Sequence, residues 1–505
     1  MTDLAMRGQA DTSIDPSVLD RLLMHGVSWT GAVKGLTQLL SWLIVIVVAH
    51  LLTPQDFGLV AMATMFLGLT ATALEFGLTF AILTLRDLSE DHIAQLHSVA
   101  LLGGFLVSAV WCAAAAPLSW WLDAPQLTSV VVALSGSFVL ASLRIVPTAL
   151  LTRALDLKYL ALLDGFGAFV AALVTLALAV SGANYWALVL GHVLATTATT
   201  LLLLVQRPQR FAWPQFRALK SSLVLSRQLL IGQLAWYGYT NADFLIAGRA
   251  LGPAALGTYK LAWTLASTLS EKILGMVSRV PTALFAAVKE DRVALRRYFL
   301  LLSEVLAVLI VPTSVGLALV AQDFVLLALG DKWSATIVPL QFLCLHASIN
   351  ALGTLLAPIL QVTGQPMFPV RCGLCALALL PPAFYLLGIH WGTAGIAAAW
   401  LLVYPLTLAP EYVRVFRTIG ITVPAYFASL WPALRGTAAM SMVVLTLRAF
   451  TPGEWPLALR FGLEVAGGGA TYLTLGLMLH ASRLRALVRL LRASHGGRTA
   501  MPSVL

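Results

Sequence analysis

The chain consists almost entirely of long hydrophobic segments, and a short link between two such segments occurs twice. Leu51–Gly58 reads LLTPQDFG, and 199 residues later Ala250–Gly257 reads ALGPAALG, with leucine, proline and glycine in equivalent places. Further landmarks pair at offsets of 208 to 211: Asp123 with Asp331, Pro147 with Pro358, Thr152 with Thr363, and Gly182 with Gly392. This pattern predicts a duplicated membrane bundle with a path between its halves.

Composition assigns the chain to the membrane class. Hydrophobic residues make up 59% of the chain and charged residues 11%, whereas a soluble domain carries about 25% charged residues. A membrane-spanning helix needs roughly 20 apolar residues. We predict fourteen spans, at about 27–52, 56–81, 94–116, 126–150, 159–180, 184–205, 223–250, 254–278, 298–321, 335–361, 367–388, 391–409, 431–450 and 457–480.

The basic residues predict the orientation of the bundle. With the N-terminus in the cytoplasm, most of the 32 lysines and arginines lie in or beside cytoplasmic segments, as the positive-inside rule requires. The exceptions at the opposite side are Arg249, Lys332, Arg448 and Arg460. Because the charge is spread over many loops, we expect no nucleic-acid partner. Residues 1–25 are polar and the first apolar run is long, so we expect no cleavable signal peptide.

The repeat also predicts the domain organisation. Six spans lie on either side of a basic loop, so both halves have the same orientation and are related by an axis along the membrane normal. The predicted segments are a cytoplasmic arm at 1–25, an N-lobe at 26–205, an interlobe loop at 206–222, a C-lobe at 223–410, two extra helices at 431–480 and a cytoplasmic tail at 481–505. The tail places Arg485, Arg489 and Arg492 on one helical face, which indicates an amphipathic helix on an anionic leaflet.

No catalytic motif is present in the sequence. There is no Walker A segment and no Gly-x-Ser-x-Gly elbow. The predicted outer loops are short, the longest being about a dozen residues at 322–334. The nine histidines form no metal-ligand spacing, and Cys372 and Cys375 lack a second ligand pair. We therefore predict a non-enzyme that holds neither a metal nor a cofactor.

Several short motifs, in order along residues 25–420, carry a resemblance to a known family. They are LLTPQDFGLV at 51–60, EFGL at 75–78, VPTALLTR at 146–153, YWALV at 185–189, NADFLIAGR at 241–249, LGTY at 256–259 and GDKW at 330–333. The chain resembles the polysaccharide transporters of the multidrug/oligosaccharidyl-lipid/polysaccharide exporter superfamily, specifically the flippases related to colanic-acid and O-antigen exporters. It departs from the family pattern at His50, which is usually arginine, and at Glu75, which is often aspartate.

The resemblance implies an all-α membrane fold with two six-helix lobes around a central cavity, working by alternating access. It implies transport of undecaprenyl-pyrophosphate-linked oligosaccharide across a bacterial inner membrane. The basic residues and the even number of spans predict that both chain termini lie in the cytoplasm. The implied partners are this substrate, membrane lipids, and a polysaccharide polymerase with other assembly proteins. The resemblance is compatible with coupling to a Na⁺ or H⁺ gradient. The sequence does not identify the glycan.

Charged residues inside the spans are the candidate site residues. Each costs about 2.5–3.5 kcal/mol on insertion scales and usually faces a cavity or a partner. A sugar pyrophosphate needs cations, and the candidates for substrate binding are Lys34, Arg144, Arg249, Lys260 and Lys272. The candidates for ion coupling or gating are Glu75, Asp243 and Glu271. Snorkelling to an interface, capping of a turn or pairing with a neighbouring helix is the structural alternative for each of them.

Two other functions remain open at this point. A small-molecule or drug-cation antiporter of the same superfamily would have twelve spans and an anionic, aromatic pocket. An enzyme of lipid-linked sugars would need an acidic catalytic loop or an outer domain. Fourteen spans and basic candidates favour the flippase, and short outer loops disfavour the enzyme.

Overall fold

A computed structural model describes residues 44, 46–84, 89–154, 156–213, 236–277, 279–452 and 455–475. The described residues form helices and turns without a strand. In chain order the helices are α1 at 46–51, α2 at Pro54–Thr84, α3 at Glu90–Trp121, α4 at Leu127–Arg153, α5 at Leu157–Val180, α6 at Tyr185–Gln206, α7 at 236–246, α8 at Pro253–Val277, α9 at Arg279–Ala287, α10 at Arg292–Ala328, α11 at Ile337–Gly353, α12 at Leu356–Val362, α13 at Met367–Leu402, α14 at Tyr404–Ile419, α15 at Val423–Phe450 and α16 at 457–475.

Over the described residues the helices follow the predicted spans, with corrections at four places. The outer loop predicted at 322–334 is wrong, because α10 continues to Ala328 and a 3₁₀ turn begins at Asp331. The span predicted at 335–361 is divided into α11 and α12. The break predicted after residue 388 lies at Trp391 and Gly392, inside α13, where Gly392 takes a positive φ of 59°. The span predicted at 391–409 is interrupted at Val403, directly after the end of α13, and α14 continues to Ile419. The predicted arm at 1–25, most of the span at 27–52, the interlobe loop beyond residue 213, the first part of the span at 223–250 and the tail at 481–505 lie outside the described residues.

The first link is shaped by local chemistry that its sequence encodes. Thr53 and Asp56 form a capping box: the Asp56 carboxylate accepts from the Thr53 backbone N–H at 2.9 Å, and the Asp56 N–H donates to the Thr53 hydroxyl at 3.3 Å. Pro54 opens α2, where a helix tolerates proline because that N–H lacks an intrahelical partner. Asp56 also accepts from the backbone N–H of Tyr185 at 3.1 Å, which attaches the start of α6 to the link.

The two links contact each other in a reciprocal arrangement. A β-carbon added at Gly58 would lie 1.7 Å from the carbonyl oxygen of Pro253, and one added at Gly257 would lie 1.8 Å from the carbonyl oxygen of Pro54. Only glycine allows backbones to approach this closely. The equivalent positions of the sequence repeat thus meet at one seam, where α2 packs against α8.

The GDKW segment at 330–333 hydrogen-bonds to the end of α1, next to the first link. Lys332 donates hydrogen bonds to the carbonyl oxygens of His50 and Leu52, both at 2.7 Å, at the end of α1. Trp333, which is fully buried, donates its indole N–H to the carbonyl oxygen of Ala49 at 2.9 Å. These donors satisfy carbonyl groups that the end of a helix leaves without partners. The GDKW segment therefore fastens the end of α1 to the second half of the chain.

A buried charge cluster attaches α15 and α16 to α10. Arg448 on α15 pairs with Glu464 on α16 at 2.8 Å and with Asp323 on α10 at 3.6 Å. Arg460 lies 3.9 Å from Asp323. Both carboxylates are almost fully buried, with side-chain exposures of 0% for Glu464 and 4% for Asp323. Opposite charges in contact offset the cost of removing each group from water.

The outer surface of the bundle is strongly apolar. Large hydrophobic side chains are exposed along α3 and α5, among them Phe105, Leu106, Phe169 and Leu173. Such patches on a soluble protein would be association sites. Within the described residues, eight helical segments are long and apolar enough to cross a membrane. The protein is therefore a multi-pass membrane protein that is helical over its described residues, and its exposed apolar faces suit contact with lipid.

Candidate functional site

A cavity of about 320 Å³ lies among helices α7, α8, α11, α13 and α14. Its walls combine aromatic rings with polar and charged groups. The residues that line it include Trp236, Tyr239, Asn241, Lys260, Trp263, Ser270, Glu271, His346, Asn350, Trp400 and Tyr404. Every lining residue comes from the chain after residue 235, so this cavity belongs to the second half of the repeat. Its size lies in the range of small-molecule sites, about 300–1,000 Å³.

Asp243 is fully buried directly behind the cavity wall. One carboxylate oxygen accepts from the Tyr259 hydroxyl at 2.7 Å and from the Trp400 indole N–H at 2.9 Å. The other oxygen accepts from the backbone N–H of Phe244 at 2.9 Å. Three donors compensate for the burial of this group, which would otherwise be costly. The carboxylate also holds the indole of Trp400, a wall residue, in one orientation.

Two further candidates, Lys260 and Glu271, line the cavity itself. They lie 11 residues apart on α8, which corresponds to about 16 Å along a helix. The Lys260 ammonium lies 4.4 Å from the centre of the Phe244 ring, close enough for a cation–π contact. Lys260 is half-buried, whereas Glu271 is exposed. The cavity therefore carries one charge of each sign on the same helix.

The structure separates two other candidates from this cavity. Arg144 lies in the first half, on α4, and donates to the Thr199 hydroxyl on α6 at 3.1 Å. Arg249 lies in a π-helical turn at Ala247–Leu251 and is exposed. Neither residue lines the cavity. Arg144 thus connects two helices of the first half, and Arg249 lies at the end of α7.

For three of the predicted site residues the structure does not describe the side chain. Lys34 lies outside the described residues. Glu75 on α2 and Lys272 on α8 have described backbones, but their side chains are not described. Their predicted roles in substrate binding and gating stay predictions.

Sequence reasoning missed the aromatic and polar wall formed by His346, Asn350, Trp400 and Tyr404. His346 is 5% exposed, and its ring lies 4.8 Å from the rings of both Trp400 and Tyr404. The Tyr404 hydroxyl donates to the Asn350 side-chain oxygen at 2.9 Å. Spacing in the sequence could have indicated this wall. His346 and Asn350 are polar residues one turn apart within the apolar α11. Trp400 and Tyr404 are aromatic residues with the same spacing.

Comparison with known proteins gives a consistent result. The family model described as "Polysaccharide biosynthesis protein" matches residues 47–338. The chain is 23% identical over 418 residues to the lipopolysaccharide biosynthesis protein WzxC of Escherichia coli (strain K12), covering 81% of this chain and 84% of that protein. It is 25% identical over 485 residues to the succinoglycan biosynthesis transport protein ExoT of Rhizobium meliloti (strain 1021), covering 95% and 97%.

Solved structures show the same fold. The lipid II flippase MurJ superposes with a TM-score of 0.76 at 12% identity, covering 90% of this chain and 99% of the MurJ chain. An inward-facing multidrug resistance MATE transporter of the MOP superfamily has a TM-score of 0.64 at 16% identity, covering 76% and 96%.

The fold and the cavity define a multi-pass helical membrane protein that shares the fold of the MurJ and MATE structures, with a polar cavity inside the bundle. Within that class, the chain belongs to the polysaccharide biosynthesis protein family, since the family model covers more than half of it. The resemblance drawn from the sequence motifs is confirmed.

Proposed function

We propose that the protein is a flippase for undecaprenyl-pyrophosphate-linked oligosaccharide repeat units. It moves them from the cytoplasmic to the periplasmic leaflet of a bacterial inner membrane, for assembly of O-antigen, capsule or exopolysaccharide. Family membership and the transport-protein name of the Rhizobium relative support this function. The observation that carries the proposal is the placement of Lys260: a cation on the wall of a polar cavity, within a helix of a membrane bundle.

The proposed architecture has fourteen membrane helices. Two pseudo-symmetric six-helix lobes, at 26–205 and 223–410, surround a central cavity, and two extra helices follow at 431–480. The reciprocal packing of Gly58 and Gly257 supports two equivalent halves with the same orientation. Both termini are proposed to lie in the cytoplasm, which the distribution of basic residues supports. Beyond the substrate and the surrounding lipids, a polymerase and other assembly proteins are its proposed partners.

Substrate binding is proposed to use Lys34 and Lys260 in successive states of an alternating-access cycle. A pyrophosphate needs charge more than fixed geometry, and lysine provides a mobile point charge. Lys260 is half-buried on the cavity wall. Its attraction to a pyrophosphate is therefore screened less than that of a lysine at the surface. Arg144, Arg249 and Lys272 stay secondary candidates for the substrate.

The proposed cycle uses no cofactor and is driven by a Na⁺ or H⁺ gradient through Asp243. Its carboxylate oxygens are occupied by Tyr259, Trp400 and a backbone N–H in the present conformation. A cation at Asp243 would compete with those donors, and displacing the indole of Trp400 is the step by which we propose that it acts on the cavity. Ion binding would therefore change the cavity wall, which is the coupling that a transporter requires.

A drug-cation antiporter is the second candidate function, and one observation favours it. The cavity has aromatic walls and the carboxylate of Glu271, features that suit an organic cation. Lys260 on the same helix opposes a cationic ligand by charge repulsion, so the flippase is preferred. The chain is proposed to act without catalysing a covalent reaction.

The test is polysaccharide export in a strain that lacks the flippase, normalised to the amount of the protein in the membrane. Lys260→Arg should retain part of the export, because the charge stays, whereas Lys260→Gln should lose most of it. Lys289→Gln is the matched control: this lysine is exposed and lies 3.6 Å from Glu290 outside the cavity, so export should be normal. Normal export by a Lys34→Gln, Lys260→Gln double variant would contradict the proposed site.

A further inference from the structure

Two buried polar atoms on the cavity wall lack a hydrogen-bond partner among the described residues. They are Oγ of Ser270 and Nδ1 of His346, on side chains that are 6% and 5% exposed. Burying a polar group without a partner destabilises a protein, and native proteins carry few such groups. Two on the wall of one cavity indicate groups that are satisfied when the cavity is filled.

The two atoms can make complementary hydrogen bonds to the hydroxyl groups of a ligand, one as an acceptor and the other as a donor. Nδ1 is the nitrogen of the His346 ring that is buried without a hydrogen-bond partner among the described residues. In the neutral tautomer that carries its proton on Nε2, Nδ1 is an acceptor. The Ser270 hydroxyl both donates and accepts. A ligand that presents several hydroxyl groups would satisfy both atoms.

Flat aromatic surfaces surround these polar atoms. Trp263, Trp400 and Tyr404 all line the cavity, and the indoles of Trp263 and Trp400 lie 5.5 Å apart between ring centres. The hydrogen bond from Trp400 to Asp243 fixes one of these rings. Sugar rings combine a C–H face, which packs against aromatic rings, with an edge of hydroxyl groups. Aromatic walls with a few convergent polar groups match that combination.

We propose that this cavity binds a sugar ring of the transported glycan, through Ser270, His346 and the aromatic wall. The inference rests on the proposed function and adds to it a binding subsite in the second half of the bundle for the saccharide itself. Lys260 lies on the same wall, so the subsite adjoins the position proposed for the pyrophosphate. The glycan is recognised here by its hydroxyl edge and its C–H face, separately from its lipid and its phosphates.

A purely structural role for these residues predicts a different outcome from a binding role. Replacing an unpartnered buried polar atom by an apolar group should leave stability unchanged or raise it. Ser270→Ala removes the hydroxyl, and His346→Phe keeps an aromatic ring while removing both ring nitrogens, of which Nδ1 is the buried, unpartnered one. If the subsite binds a sugar, both variants should be at least as stable as the wild type and yet bind the glycan less well.

The experiment measures binding to the full chain in lipid nanodiscs by the quenching of tryptophan fluorescence. The two ligands are the lipid-linked oligosaccharide extracted from the source strain and undecaprenyl pyrophosphate without sugar. We expect Ser270→Ala and His346→Phe each to weaken binding of the oligosaccharide about two- to tenfold, the value of one lost hydrogen bond. Binding of undecaprenyl pyrophosphate should not change. Ser348→Ala, which deletes another buried, unpartnered hydroxyl outside the cavity, should affect neither ligand.

Other results of these binding measurements would contradict either the sugar subsite or the proposed function. Variants that bind the oligosaccharide as tightly as the wild type, or that lose both ligands equally, would overturn the sugar subsite. A wild type that binds both ligands with the same affinity would overturn it as well. A wild type that binds neither ligand would instead refute the proposed function.

Discussion

The seam between α2 and α8 gives the sharpest prediction about the duplicated core. Gly58→Ala would place a β-carbon 1.7 Å from the carbonyl oxygen of Pro253. A relaxed contact between carbon and oxygen is about 3.3 Å. The two backbones must therefore separate by roughly 1.6 Å. Because the obstructing atom belongs to the backbone, no side-chain rotation can relieve the clash.

The expected loss of stability follows from two opposing terms. Overpacking of this kind costs about 1–3 kcal/mol, and a rigid backbone contact belongs at the upper end. Alanine gains about 1 kcal/mol over glycine in a helix. The net loss is therefore about 2 kcal/mol for Gly58→Ala, and the same value is expected for Gly257→Ala, whose added carbon would lie 1.8 Å from the carbonyl oxygen of Pro54.

A double variant tests whether the two glycines share one seam. Once either alanine has separated the helices, the second adds little strain, so the double loss should be clearly smaller than the sum of the single losses. The assay is thermal unfolding of the purified protein in nanodiscs, followed by tryptophan fluorescence. Gly136→Ala on α4, with nothing within 4 Å of the added carbon, should be neutral or stabilising. Strictly additive losses, or single variants as stable as the Gly136→Ala control, would refute the reasoning.

Three further predictions concern the rest of the bundle. Arg448→Gln should lower stability by about 3 kcal/mol in the same assay, because it leaves two buried carboxylates without their closest cation, and an added Glu464→Gln should restore part of the loss. Trp333→Phe should cost about 1 kcal/mol through its lost hydrogen bond to the end of α1, and unchanged stability would show that the GDKW segment does not fasten that helix. A cysteine placed at Thr451 should react with an impermeant thiol reagent from the periplasm, whereas one at Gln215 should be protected until the membrane is opened. Periplasmic labelling at Gln215 would overturn the proposed topology.

Local features of the fold could be predicted because they depend on a few neighbouring residues. The start of α2 follows from the capping pair Thr53 and Asp56 and from Pro54 between them. The spans follow from long apolar runs, since a bilayer sets their length. The sequence repeat also indicated that Gly58 and Gly257 are equivalent. Their mutual contact could not be predicted, because spacing along a chain does not say which helix packs against which.

The candidate site was predicted only in part, for a related reason. Charged residues in apolar spans are conspicuous, so Asp243, Lys260 and Glu271 were identified, and two of them line the cavity. Aromatic residues in such spans are not conspicuous, because the same residues face lipid or pack in a core. The indole of Trp400 on the cavity wall is hydrogen-bonded to Asp243, 157 residues earlier in the chain. A pairing over that distance is fixed by the tertiary fold.

The proposed transport is tested most directly by the leaflet in which the lipid-linked oligosaccharide is found. In spheroplasts of a strain that lacks this protein, an impermeant reagent that oxidises and labels sugars should not reach the oligosaccharide. Production of the wild-type chain should make it accessible, Lys260→Arg should do so in part, and Lys260→Gln should do so poorly at equal abundance in the membrane. Equal labelling with and without the protein would contradict the conclusion that this chain carries the substrate across the membrane.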